Sequence, residues 1–390
     1  MIEREITPCV KAVFKKYPVV TITGPRQSGK TTLVKHLFGD RPYVNLEQLE
    51  NREFARSDPR GFLQALQKGA VIDEIQRVPE LLSDIQALVD ERRKNGMFVL
   101  TGSAQFELMR GISQSLAGRT AVLKLLPFSL SELRGHVSFP GGTDEMMHRG
   151  FYPRIYDHDL EPARAYADYF ETYIERDLRQ ILAVKNLAAF QKFVRLCAGR
   201  IGQLVNLSSL GSDAGVSHTT AREWLTLLET SFIILLLEPY HANIRKRLVR
   251  SPKIYFYDVG LAAYLLGIES RIHIAHHPLR GSLFENMALM EFLKYRFHRG
   301  RGNNLSFFRD RAGHEIDILY AVADKLLAVE VKSGETVVGD FFKGFAPFED
   351  TLKGHVLGEA LIYGGKRHEI RNGIRITDVV GIKALLDEFV

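Results

Sequence analysis

The sequence predicts an α/β protein in three parts, and three observations carry that prediction. Residues 1 to about 150 alternate short β-branched runs with helical patterns, which reads as a parallel sheet covered on both faces. Residues 151–270 turn mainly helical, and a second α/β pattern fills 271–390. The stretch Phe139-Pro140-Gly141-Gly142-Thr143 punctuates the first change of pattern. At 390 residues the chain is also too long for one ordinary core.

In the first part, Val19 to Thr23 reads as a strand and Lys30 to Phe38 as the helix after it. Further strands are expected at Tyr43 to Leu46, Ala70 to Ile72, Met97 to Leu100 and Ala121 to Leu126, with a helix over Leu81 to Lys94. Between the first strand and its helix lies Gly24-Pro25-Arg26-Gln27-Ser28-Gly29-Lys30-Thr31, followed by Thr32. This fits the phosphate-binding pattern G-x-x-x-x-G-K-[ST] in the strand-to-helix setting that the pattern requires. The glycines let backbone N–H groups face phosphate, and the helix N-terminus adds partial positive charge. Lys30 would reach the β- and γ-phosphates of ATP, and Thr31 would offer its hydroxyl to Mg2+.

Val71-Ile72-Asp73-Glu74 is an apolar strand ending in two acids. Asp73 is suited to holding Mg2+ and Glu74 to deprotonating the attacking water. The next strand ends in Leu100-Thr101-Gly102-Ser103, where Thr101 or Ser103 would sense the γ-phosphate or simply make a turn. Arg119, after Leu116-Ala117-Gly118, is either a surface arginine or a finger reaching the γ-phosphate of a neighbouring subunit.

The middle part contains a helix-turn-helix pattern over Asn206 to Ser231. Gly215 supplies the turn, Ser217 the N-cap, and Ala221, Trp224, Leu225 and Leu228 the packed face. Arg222 would lie exposed near the start of the second helix, beside Glu223. Arg245, Lys246, Arg247, Arg250 and Lys253 form the densest basic cluster. Such a cluster is either a solvated hairpin or a phosphate-contacting wing of a DNA-binding module.

In the third part, Leu305 to Phe308, Glu315 to Tyr320 and Leu326 to Val331 read as successive strands. Period two puts Glu315 and Asp317 on one face of the second, and Glu330 and Lys332 on one face of the third. A short turn makes the two antiparallel, with a register that the sequence leaves open. An amphipathic hairpin with a cross-strand Glu–Lys pair is the plain reading.

The composition is that of a folded globular chain, 45% hydrophobic and 25% charged, with a net charge of +6 and a pI near 9.1. Cys9 and Cys197 form no disulfide framework, which points to a reducing, cytoplasmic setting. Neither a signal-peptide layout nor a run of roughly 20 apolar residues is evident, so no membrane partner is expected.

Taken in order, GPRQSGKTTL, VIDEIQ, LTGSAQF and SLAGR resemble the bacterial and archaeal AAA-type ATPases that carry a C-terminal domain of uncharacterised function. The likeness continues through Tyr169 to Leu182, Gly215 to Glu229, Lys246 to Ile268 and Gly281 to Phe292. It implies a P-loop AAA-type core, a helical winged-helix-like middle and a homo-oligomer, a ring being one form of it, in which Arg119 acts in trans. Asp317, then Glu330-Val331-Lys332, with Glu285 upstream, resembles the restriction-endonuclease-like nucleases. That second likeness implies that Asp317, Glu330 and Glu285 would hold a divalent Mg2+ or Mn2+ and that Lys332 would activate water. The expected protein is thus an Mg–ATP hydrolase associated with DNA, with a C-terminal domain that binds or cuts it. The alternative is an ATP-dependent switch or scaffold for a protein partner, its nuclease-like domain inactive. A small-molecule kinase is disfavoured, for no acceptor-binding motif is evident.

Overall fold

Five runs of alternating aliphatic residues become the strands β1 (Val19–Thr23), β2 (Tyr43–Asn45), β3 (Ala70–Asp73), β4 (Phe98–Gly102) and β5 (Thr120–Lys124). In this computed structural model, which describes residues 2–103, 115–173, 186–240, 251–310, 312–352 and 354–389, they form one parallel sheet of order β2-β3-β4-β1-β5. Each expected strand is present within two residues of its expected ends. Strand periodicity divides the apolar side chains between two cores. Val19, Ile72, Phe98 and Leu100 pack on one face with Leu81, Leu82 and Ile85 of the helix Leu81–Arg92. Val20, Ile22, Val71 and Val99 pack on the other with Val10, Leu33 and Val34. Both faces are covered, as a parallel sheet requires.

This sheet lies in a compact unit of Met1–Phe128, Thr230–Phe232 and Arg296–Gly302; the second unit comprises Ser129–Glu229, Ile233–Tyr295 and Asn303–Val390. In the second unit the helices Leu187–Ala198, Leu207–Ala214 and His218–Thr230 precede an antiparallel pair, β6 (Ile234–Leu237) and β7 (Lys253–Phe256). Gly215 adopts the left-handed conformation at φ 77°, and the Ser217 hydroxyl accepts the Thr220 N–H at 3.1 Å, so turn and N-cap form where they are expected. Trp224 is buried edge-on against Phe190 and Phe193, with ring centroids 5.2 and 5.5 Å away. That makes it a core residue.

The C-terminal part builds a mixed sheet of order β12-β13-β11-β10-β9-β8. Its strands are β8 (Leu305–Arg309), β9 (Glu315–Val322), β10 (Lys325–Lys332), β11 (Val356–Tyr363), β12 (Glu369–Arg371) and β13 (Ile374–Thr377). β8, β9 and β10 run as an antiparallel meander, whereas β11 is parallel to β10. The register left open by the sequence pairs Val329 with Ile318 and Leu327 with Tyr320.

The helix Arg280–His298 is apolar around most of its circumference, with Phe284, Met287, Leu289, Phe292 and Leu293 all buried. Asn286, Glu291, Lys294 and His298 are the buried polar residues on it, and Asn286 is the one that meets β7. Its amide accepts the Phe256 N–H at 2.6 Å and donates to the Phe256 carbonyl at 3.0 Å, completing the free edge of β7. Removing both bonds leaves two buried backbone groups without partners. Asn286→Leu is therefore expected to lower stability by about 2–4 kcal/mol, read as an earlier urea midpoint; an unchanged midpoint would refute this account of the edge.

Candidate active site

The loop after β1 owes its shape to residues that tolerate unusual backbone. Gly24 sits at φ 152°, and a Cβ there would come within 2.1 Å of the Leu125 carbonyl oxygen, so no side chain fits. Gly29, at φ 91°, turns the chain into the helix Lys30–Leu37, and Gln27 is also left-handed at φ 60°. Pro25 is buried, whereas Thr32 is exposed on the first helical turn. Arg4 braces the loop from the N-terminal segment. It is buried, donates to the carbonyl oxygens of Ser28 at 2.8 Å and Leu126 at 2.6 Å, and stacks over Phe128. Nothing in the sequence around Arg4 signals this, because its partners are backbone atoms far along the chain.

Lys30 turns its ammonium into the loop, donating to the carbonyls of Gly24 at 3.0 Å and Pro25 at 2.7 Å. Burial pulls its pKa down to about 8, against the opposing pull of Glu74 and Asp73. The Ser28 hydroxyl is buried without a hydrogen-bond partner. A buried cation and an orphaned hydroxyl, in a glycine-shaped turn at a helix N-terminus, fit a phosphate chain.

Asp73, at the end of β3, is almost wholly buried and gathers three hydroxyls. Thr31 Oγ1 donates to Oδ2 at 2.8 Å, Tyr43 OH donates to the same oxygen at 2.5 Å, and Thr101 donates to Oδ1. The geometry joins Thr31 to Asp73, the pair that would hold Mg2+. Tyr43 was missed by sequence reasoning. A tyrosine opening a short strand carries no motif, and only the β2–β3 pairing, Tyr43 beside Val71, brings it to the carboxylate.

Glu74 follows in a left-handed conformation at φ 60°, uncommon for a residue with a Cβ and a recognised feature of functional sites. Burial raises its carboxyl pKa, with Lys30 acting in the opposite direction. Ser103 Oγ lies 3.4 Å from Glu74 Oε2, and Gln76 donates to the same oxygen. Of the two candidate sensor residues, Thr101 therefore contacts Asp73 and Ser103 lies beside Glu74.

Arg119 lies elsewhere. Its carbonyl accepts the Val19 N–H at 3.2 Å, at the start of β1, whereas the phosphate loop leaves the other end of that strand. Five residues of extended chain span about 16 Å, so Arg119 has no reach to the loop of its own chain. Its guanidinium forms a forked pair with Asp90 at 2.6 and 2.8 Å.

In the second unit, Asp317, Glu330 and Lys332 do come together. Asp317 Oδ2 accepts the Val331 N–H at 2.8 Å and Lys332 Nζ at 3.0 Å, and Lys332 also pairs with Glu330. Burial and the neighbouring Asp317 push Glu330 up to about 8. Burial also acts against an ionised Asp317, yet Lys332 and Lys253 hold it below its ordinary value. Glu285 belongs to a second cluster, bonded by the Tyr255 hydroxyl and by Lys253 at 3.2 Å, and burial raises it to about 7.

Two expectations change. Lys253 is not part of an exposed basic face: it is buried, its ammonium paired with Glu285 and Glu315. Both faces of β7 are buried, so Lys253 is enclosed with Glu285 and Glu315 whichever way it points, which its basic neighbours in sequence conceal. Second, the expected divalent set of Glu285, Asp317 and Glu330 is engaged by lysines, Lys253 on Glu285 and Lys332 on Asp317 and Glu330. Among the described residues no three His, Cys, Asp or Glu side chains form a metal-holding group, and two lysines neutralise these carboxylates instead. Of the remaining basic residues, Arg222 is exposed on its helix as expected, and Arg245, Lys246, Arg247 and Arg250 lie outside the described residues. No helix among the described residues is long and apolar enough to cross a membrane.

Comparison with known proteins agrees with this geometry where the phosphate loop is concerned. Residues 16–134 match an AAA domain, residues 142–271 a domain of unknown function (DUF8612), and residues 280–385 another domain of unknown function (DUF4143). Two curated relatives, the uncharacterized protein Rv2008c of Mycobacterium tuberculosis and the uncharacterized protein Mb2031c of Mycobacterium bovis, are each 30% identical over 336 residues, 85% of this chain and 74% of theirs. Among solved structures, a Walker-type ATPase of Pyrococcus abyssi is similar at 16% identity and a TM-score of 0.47, covering 68% of this chain and 96% of that one. A signal-transduction ATPase with numerous domains from Pyrococcus horikoshii aligns at 11% identity and a TM-score of 0.24, over 77% of this chain and 50% of that one. With its AAA domain and the long match to the mycobacterial proteins, the chain belongs to their family, an AAA-type P-loop family.

Proposed function

We propose that this protein binds Mg–ATP in the loop Gly24–Thr31 and hydrolyses it, with Glu74 as the general base. The observation that carries this reading is the convergence of three elements at one end of the first sheet: Lys30 in its loop, Thr31 and Thr101 on Asp73, and Ser103 beside Glu74. When bound, Mg2+ neutralises charge on the phosphate oxygens as the γ-phosphoryl group leaves. Thr31 and Asp73 would hold it, with Tyr43 and Thr101 keeping Asp73 in place. Lys30 would exchange its backbone carbonyls for phosphate oxygens, and the free Ser28 hydroxyl would find its acceptor there. Glu74 would take the proton of the attacking water, and its burial favours a base whose affinity for protons is raised.

Arg119, set at the far end of the sheet, fits a role in a neighbouring subunit, the reading that implies a homo-oligomer. For the second unit we favour, of two readings, an ATP-dependent switch or scaffold over a nuclease. The pairing of Glu285 and Glu315 with Lys253, a residue outside the expected nuclease set, favours it, since that lysine holds a carboxylate that a metal site would need free. A cavity of about 820 Å³ in this unit is lined by Lys366, Arg367 and Arg371, but equally by Glu335, Glu369 and Asp378, which gives a polyanion no preference for it. DNA association rests on the exposed Arg222 and on the basic run Arg245 to Arg250.

Three measurements test these readings. Glu74→Gln should retain ATP binding while kcat falls by about 10²–10⁴-fold, whereas Lys30→Ala should lose binding; a Glu74→Gln protein as fast as the native one refutes the assignment of the base. Mixtures of Arg119→Ala and Lys30→Ala subunits should recover ATPase activity that neither has alone, and no recovery argues against action in trans. Plasmid and linear DNA, incubated with Mg2+ or Mn2+ with and without ATP, should stay uncut by the native protein. Cleavage that disappears in Asp317→Ala would restore the nuclease reading, and loss of DNA affinity even at low salt would remove DNA from the account.

A further inference from the structure

Ser103 is not the only polar group on Glu74. Gln76 lies in the 3-10 turn Ile75–Arg77 that follows β3, two residues beyond Glu74. Its Nε2 donates to Glu74 Oε2 and lies 3.3 Å from Ser103 Oγ. These partners orient the amide, because the reverse orientation would set Gln76 Oε1 against a carboxylate with no proton between them. The oriented amide leaves Oε1 buried and, among the described residues, without a hydrogen-bond partner. Buried acceptors are nearly always satisfied, so an orphan on the side chain that clamps the general base calls for a donor.

A water molecule is the donor that the chemistry requires there. It has two protons to give. If Glu74 accepts one and Gln76 Oε1 the other, its lone pair is left to face the γ-phosphorus, the orientation that hydrolysis needs. We propose that Gln76 is a positioning residue for the attacking water, its Nε2 fixing the carboxylate of Glu74 and its Oε1 accepting the proton that Glu74 does not take. In the step so arranged, the water oxygen forms a bond to the γ-phosphorus while the bond from that phosphorus to the β–γ bridging oxygen breaks. The bridging electron pair leaves with ADP, the transferred proton goes to Glu74, and inorganic phosphate is the second product. Ser103, within reach of both Glu74 and Gln76, links this pair to the end of β4. Glu74 holds a left-handed backbone directly before the turn that carries Gln76.

The inference rests on the ATPase reading, and steady-state hydrolysis together with ADP and ATP affinity tests the two separately. Gln76→Met keeps the length of the side chain but removes donor and acceptor. It should lower kcat by about 10–100-fold and leave both nucleotide affinities within about twofold. Gln76→Glu retains an acceptor oxygen but sets a like charge against Glu74, and should be slower still. A Gln76→Met protein with native kcat overturns the proposal while the ATPase reading stands. A loss that appears instead as weakened ADP and ATP binding overturns it too, since that marks a structural role. If the native protein with Mg2+ hydrolyses no ATP, both readings fall together.

Discussion

The placing of β4 between β1 and β3 governs the rest of the ATPase unit. Parallel strands lie about 4.8 Å apart, so one intervening strand separates the phosphate loop from the two acids by about 9.6 Å. Lys30 does not close this gap, because its ammonium is turned onto the carbonyls of Gly24 and Pro25. The gap is bridged by side chains with short reach: Thr31 crosses from the loop to Asp73, and Thr101 reaches the other oxygen of that carboxylate from β4 itself. The consequence is a site whose polar groups hold one another in position before any ligand contributes. Such preorganisation is what electrostatic catalysis draws on.

Burial of charge is handled differently in the two units. Around the phosphate loop, Lys30 is buried with only carbonyl oxygens as direct partners, and its affinity for a proton falls accordingly. In the second unit two lysines are set among four carboxylates. Burial raises Glu285 and Glu330 into the range around neutrality, which brings the cluster close to charge balance. Lys253 and Lys332 remain charged because they are surrounded by acids, despite desolvation that acts the other way. A cluster of this kind contributes to a defined arrangement of the strands β7, β9 and β10 and the helix Arg280–His298. Breaking one member would leave an uncompensated buried charge.

Legibility from sequence differed sharply between these sites. The parallel sheet, the phosphate loop, the Asp73–Glu74 pair and the antiparallel meander of β8 to β10 all follow from local signals, namely strand periodicity, glycine positions and motif spacing. Trp224 was readable as core for the same reason, since helical spacing sets it beside Leu225 and Leu228. Tyr43, Arg4 and Lys253 were not readable. Each finds its partner through strand order or through backbone atoms distant in the chain, and the residues next to them carry no sign of it. Lys253 was actively misleading, because four basic residues precede it within nine positions and only the burial of β7 on both faces encloses it.

By itself, then, the sequence determined which chemistry the first unit carries. A phosphate loop is a local object, built from glycines, a lysine and a hydroxyl over eight consecutive residues, and its backbone conformation is dictated by those residue types. Tertiary structure alone decided how the acids are held and what the C-terminal carboxylates face. Those questions depend on strand order, register and the direction in which buried side chains point. A one-residue change of register would reverse the side chains of β9 or β10, so no reading of Asp317, Glu330 and Lys332 along the chain could establish which carboxylates Lys253 and Lys332 would meet.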